Sequence, residues 1–120
     1  MINREWAVAN LGALADPGAL EFSVGNGAWP FRGFLVRQHG EVYAYTNVCP
    51  HQRHPLNLTP NGFFTVDKVA LLCSSHGAMF KPETGECIGG PCVGKTLHKL
   101  PSRIEDETIF VTAPDAQSTD

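Results

Sequence analysis

No run of apolar residues in this chain approaches the length that carries a helix across a bilayer, and Met1–Asn10 lacks the basic-then-apolar pattern of an export signal. The expected compartment is therefore the cytoplasm, where thiols stay reduced and four cysteines need not mean two disulfides. A basic stripe is missing too. Nine Lys and Arg face twelve Asp and Glu, for a formal net charge of −3, which argues against nucleic acid as a partner. No internal repeat is visible.

What is present points to one small domain. A chain of 120 residues with 42% apolar content can build a modest core, and a metal centre would support a domain of this size. The 12 glycines and 9 prolines favour short strands and turns over long helices. Acidic residues crowd the C-terminal end (Glu105, Asp106, Glu107, Asp115 and Asp120) against Arg103 alone. The middle of the chain is near neutral, with Arg53, Lys68, Lys81 and Lys95 set against Asp67, Glu83 and Glu86. This unevenness reads as solvated surface of both signs rather than a steering field.

Alternation and turn residues predict an all-β chain. Strands are expected at Glu5–Ala9, Leu20–Val24, Phe31–Arg37, Glu41–Thr46, Phe63–Val66, Val69–Leu72, Ala78–Lys81, Leu97–Leu100 and Ile109–Thr112. Ala13–Ala15 reads as a short helical turn. Turns are expected at Gly25-Asn26-Gly27, His39-Gly40, Asn61-Gly62, Asp67-Lys68 and Glu83–Glu86. Phe34, Val36, Val42 and Ala44 are expected on the buried face of the hairpin through His39-Gly40, and Ala113–Asp120 as a frayed tail.

Cys49–Thr59 has no periodicity and reads as a loop built for ligands. It opens with Cys49-Pro50-His51, and residues 52–72 separate this triplet from Cys73-Ser74-Ser75-His76. Each short pair lets one tight loop aim a thiolate and an imidazole at a single point. Two cysteines and two histidines suit a two-iron cluster with thiolates on one iron and imidazoles on the other. Zinc is the chemical rival, because the same four side chains make a tetrahedral site. Zinc fingers usually group Cys-x-x-Cys with His-x-x-x-His, which is not the order here.

The two pairs and their flanks resemble the cluster-binding signature of the Rieske family, and the chain is similar to small, soluble Rieske-type ferredoxins. The likeness runs from about Tyr43 to Leu97. It includes Asn47–His51, Pro55-Leu56, Cys73–Phe80, Thr84-Gly85 and Gly89-Gly90-Pro91. It implies an antiparallel β sandwich or barrel, with a base of residues 1–45 and 94–113, an inserted cluster-binding subdomain at about 46–93, and a tail of 114–120. It implies a [2Fe-2S] cluster with Cys49 and Cys73 on one iron and His51 and His76 on the other. Gly89–Pro91 then corresponds to the loop that covers the cluster and excludes water.

The same resemblance places His54 and Ser75 where relatives from cytochrome complexes carry a bridging cysteine pair, so no such bridge can form. It places Ala78 and Phe80 where those high-potential proteins have a serine and a tyrosine that donate hydrogen bonds to cluster sulfurs. Without these donors the potential is expected at the low end of the range, roughly −150 mV. Arg53 stands where many relatives have glycine.

Cys87 and Cys92 are expected to pack as small apolar residues, with a redox-active pair or ligands of another group as the alternatives. His54 reads as a tolerated surface histidine, with an exposed partner contact as the alternative, His39 as a turn residue and His98 as a strand residue. Trp6, Trp29, Phe31, Phe34, Phe63 and Phe64 read as core aromatics. The resemblance implies an electron carrier rather than an enzyme, a monomer that takes single electrons from a flavin reductase and gives them to an oxygenase. The alternatives are a small subunit of a larger oxidoreductase, such as a nitrite reductase, and a metal-dependent regulatory module.

Overall fold

In a computed structural model of the chain, which describes residues 2–25, 30–50, 54–57, 59–74 and 77–115, strands dominate. They are β1 (Ile2–Asn10), β2 (Gly18–Val24), β3 (Phe31–Gln38), β4 (Glu41–Thr46) and β5 (Leu71–Leu72). β6 (Met79–Phe80), β7 (Cys87–Gly89), β8 (Lys99–Leu100), β9 (Ser102–Glu105) and β10 (Thr108–Asp115) follow. They form three antiparallel sheets, ordered β1-β10-β9, β2-β3-β4-β8 and β5-β6-β7. The expected all-β, antiparallel architecture is the one found. Among the described residues no helix is long and apolar enough to cross a membrane.

The β3–β4 hairpin turns where expected. His39 (φ 53°) and Gly40 (φ 81°) both take left-handed conformations between the paired Gln38 and Glu41, the geometry that matches strand twist in a two-residue loop. Its faces need correcting, because Phe34, Val36, Val42 and Ala44 do not share one side. Phe34 and Val36 pack with Tyr45 in one core cluster, whereas Leu35 and Ala44 pack in the other, with Val42 against it. Side chains alternate along a strand, so a central strand buried on both faces feeds two cores.

The second core joins Leu35, Ala44 and Leu100 to Ile109, Val111 and Ala113, and so packs β10 against the hairpin. The first core contains Cys49, Leu56, Phe63, Leu71, Cys73, Phe80, Cys87, Cys92 and Leu97 beside Phe34, Val36 and Tyr45. Phe34 and Phe63 stack within it, ring centroids 4.2 Å apart. Trp6, Phe31 and Phe64 flank the two cores half-buried, and Trp29 lies outside the described residues.

Several elements depart from the sequence reading. β1 begins at Ile2 and carries a bulge between Ala7 and Ala9. The helical turn is a 3₁₀ turn at Leu11–Ala13 rather than Ala13–Ala15, because the Asn10 side chain caps it by accepting the Gly12 N–H. Of Phe63–Val66 only Phe64 bridges, to Leu71, and the strand expected from Val69 is reduced to Leu71–Leu72. The segment between is drawn into a tight turn: the Thr65 hydroxyl and the Val69 N–H both donate to the Asp67 carboxylate. His98 precedes β8, although its carbonyl accepts the Thr46 N–H. β9 was not expected, and β10 runs on to Asp115 in place of a tail from Ala113.

Candidate metal centre

β4 delivers the first ligand loop. As it ends, the Asn47 N–H donates to the Arg32 carbonyl and the chain turns to Cys49, whose own N–H donates to the His54 carbonyl at 2.8 Å. That bond closes the loop across the Cys49–His54 span. The Asn47 side chain is buried and braces the same loop from inside. Its Oδ1 accepts the Leu56 N–H at 2.9 Å, and its Nδ2 donates to Asn57 Oδ1 at 3.0 Å.

β5 delivers the second loop. The Cys73 N–H donates to the Ala78 carbonyl, and the Gly77 N–H returns to the Cys73 carbonyl. The two loops are then tied to each other, because the Ser74 N–H donates to the Leu56 carbonyl at 2.9 Å. Leu56 thus receives support from Asn47 on one side and gives it to Ser74 on the other, and its side chain is fully buried.

The segment after β7 covers this pair of loops. Gly90 adopts φ +85°, and a β-carbon there would stand 2.7 Å from the Ala78 Cα and 2.9 Å from the Gly77 carbonyl oxygen. Backbone lies directly on backbone, which only glycine permits. Tyr45 ties down the connection from β6 to β7, which leads into the cover: its buried hydroxyl donates to the Pro82 carbonyl at 2.6 Å. Burial, with smaller contributions from Tyr43 and Glu83, raises the Tyr45 pKa well above the usual phenol range.

Cys49 and Cys73 are both completely buried in the first core. Cys92 stands near enough to feel their charge. Its thiol is pushed up to about 12, first by burial, then by its hydrogen bond to Cys87, and further by Cys87, Cys49 and Cys73. Two water-excluded sulfurs on loops tied together fit the thiolate half of a cluster's ligand set. His51 and His76, with Gln52, Arg53, Ser75 and Leu58, lie outside the described residues, as do residues 26–29 and 116–120. Among the described residues no group of three or more His, Cys, Asp or Glu converges.

Of the other sequence expectations, Cys87 and Cys92 are buried in the core as anticipated. His54 is half-buried rather than simply superficial, and its carbonyl serves the loop closure already described. Ala78 and Phe80 are both fully buried in the core that contains the cysteines. Asn47 is the residue whose role the sequence reading missed; a polar side chain two places before Cys49 was the available signal.

Residues 19–105 match the Rieske [2Fe-2S] domain family. The chain is 35% identical over 79 residues to human apoptosis-inducing factor 3, covering 66% of this chain and 12% of that protein. It is 32% identical over 77 residues to the ferredoxin component of the alkene monooxygenase system of Xanthobacter autotrophicus, covering 64% of this chain and 58% of the relative. The chain thus spans less than two thirds of either relative. Among solved structures it resembles the ferredoxin of carbazole 1,9a-dioxygenase from Nocardioides aromaticivorans IC177, with a TM-score of 0.70 at 24% identity. That likeness covers 89% of this chain and 95% of the other, and establishes a shared fold.

Proposed function

This chain belongs to the Rieske [2Fe-2S] domain family, and we propose that it is an electron carrier, not itself an enzyme, that passes single electrons from a flavin reductase to an oxygenase. Cys49 and Cys73, as thiolates, and His51 and His76, through ring nitrogens, hold the cluster. When bound, the cluster supplies a one-electron couple, whose potential exceeds that of all-cysteine centres because two imidazoles replace two anionic thiolates. The observation that carries this reading is the pair of fully buried cysteines, Cys49 and Cys73, on two loops tied through Leu56 and Ser74.

The chain's own residues do the rest of the work. Asn47 and Leu56 fix the loops, so little rearrangement accompanies a change of charge. The cover at Gly89–Pro91 excludes water. Ala78 and Phe80 offer no side-chain hydrogen bonds to sulfur and keep the potential low. Residues 46–93 act as the cluster-binding subdomain on a base of 1–45 and 94–113, and the molecule works as a cytoplasmic monomer. The oxygenase as acceptor is supported by the relative that is the ferredoxin component of an alkene monooxygenase system.

A second reading is favoured by the human relative, of which this chain spans 12%. The domain would then serve inside a larger redox assembly. Co-purification with a large subunit, set against free exchange as a monomer, separates the two.

Absorption and low-temperature EPR spectra of anaerobically purified protein, before and after dithionite, test the cluster. A red-brown oxidised form and a reduced signal of low average g are expected. Colourless protein that carries zinc, or stays empty after reconstitution, would overturn the proposal. The potential should also fall at alkaline pH as the histidine ring nitrogens lose protons, and a flat profile would remove histidine ligation.

A further inference from the structure

Beside the loops that carry Cys49 and Cys73 stands a second pair of sulfurs, which the electron-carrier reading does not use. Cys87 and Cys92 lie 3.1 Å apart, sulfur to sulfur, with the Cys92 thiol donating to Cys87 Sγ and the Cys87 thiol donating to the Gly89 carbonyl at 3.1 Å. Packing alone does not require such a contact, since either sulfur could face hydrocarbon in this core. The backbone also holds the two residues in place for one another. The Cys87 N–H donates to the Lys95 carbonyl, and the Lys95 N–H donates to the Cys92 carbonyl, both at 2.9 Å.

Both cysteines are therefore anchored on one residue, and bond formation between the sulfurs asks for side-chain rotation rather than a new backbone path. The intervening segment is a thin cover. Ile88 is 50% exposed, Gly90 and Pro91 are exposed, and Val93 just beyond is 67% exposed. Cys87 and Cys92 themselves are only 4% and 2% exposed, so this segment is what separates them from solvent.

From this geometry we infer that Cys87 and Cys92 form a reversible dithiol–disulfide site whose co-substrate is a low-molecular-weight disulfide. In the first step Cys87 Sγ bonds to one sulfur of the small disulfide. The other sulfur leaves as a thiol and takes up the Cys87 proton. Cys92 Sγ then bonds to Cys87 Sγ, and the second small-molecule sulfur leaves with the Cys92 proton. Two protein thiols and one small disulfide become one protein disulfide and two small thiols, with two electrons passed to the small molecule. Burial slows the first step, because the attacking sulfur must be reached through the 88–91 cover. The position of equilibrium is set by the thiol–disulfide poise of the medium.

The inference does not rest on cluster binding, and the test keeps the two apart. Holoprotein is equilibrated anaerobically with graded ratios of oxidised to reduced glutathione, quenched in acid, unfolded, alkylated and mapped by mass spectrometry. Iron and sulfide are counted on the same samples. The expected result is joint loss of alkylation at Cys87 and Cys92, recovery of both with dithiothreitol, and continued alkylation of Cys49 and Cys73 after cluster release. In Cys87→Ser, Cys92 should no longer be lost to an intramolecular bond. If that variant does not fold, the wild-type titration carries the test alone. Thiols that stay fully alkylated at the most oxidising ratio, or that pair instead with Cys49 or Cys73, would overturn the inference. Low iron with an intact Cys87–Cys92 disulfide would count against the cluster and leave this site standing.

Discussion

The Asn47 side-chain oxygen accepts the backbone N–H of Leu56 at 2.9 Å, across nine positions of sequence and in a site shielded from water. This bond sets the width of the first ligand loop. Leu56 in turn accepts from Ser74, so the second loop inherits its position from the first. Removing the acceptor leaves a buried N–H unpaired, which costs about 1–3 kcal/mol. Asn47→Ala should therefore lower thermal stability and reduce iron per protein; Asn47→Asp keeps the acceptor for Leu56 but buries a carboxylate facing the Asn57 oxygen, so it should be destabilised too. Equal iron content in wild type and Asn47→Ala would show that the bond does not govern the loop.

Ala78 and Phe80 bear on the potential. Both are fully buried in the core that contains the cysteines, and neither side chain donates a hydrogen bond. The wild-type midpoint is expected near the low end of the Rieske range, roughly −150 mV. Ala78→Ser and Phe80→Tyr should each raise it, because a donor to sulfur stabilises the more negative reduced state. Redox titration followed by absorption or EPR reads the shift. A wild-type value well above zero would remove the link between these two side chains and the potential.

Gly90 bears on the cover. A methyl group there meets the Ala78 Cα at 2.7 Å and must also accept a positive φ. The combined cost for Gly90→Ala is about 1–3 kcal/mol or more. The cover should lift, and the visible absorption should bleach faster in the presence of an iron chelator. Bleaching at the wild-type rate would mean that the segment does not shield the centre.

Asp67 gives the molecule an acid-sensitive element. The hydrogen bond from the Thr65 hydroxyl, and next the one from the Val69 N–H, hold its carboxyl below the usual range. A carboxyl lowered on folding contributes stability above its unfolded pKa and loses it as pH falls through the folded value. Asp67→Asn should therefore be less stable than wild type near neutrality, with the gap closing in acid. Urea melts across that range measure it, and a gap constant with pH would exclude the ionised form as the cause.

Half of the candidate site is legible in the chain: Cys49 and Cys73 are buried where their motifs put them, while His51 and His76 lie outside the described residues. His39-Gly40 announces its hairpin because both residues tolerate left-handed backbone. A polar residue two places before Cys49 marks Asn47 as unusual, but its partner Leu56 is not legible, because the bond depends on tertiary contact rather than on any local period. β9 escaped for a different reason: Ser102–Glu105 is exposed at every position, so no alternation marks it. The continuous apolar run Phe34-Leu35-Val36 did carry a readable message, a strand covered on both sides, which the assumption of a single buried face obscured.

That run gives the molecule its cooperativity. Phe34 and Val36 wall the core that contains the cysteines, while Leu35 between them walls the core under β10. Neither half can melt without stripping the other of a side. A calorimetric scan should show one endotherm, and a metal gripped at one end should raise the melting point of strands that never approach it.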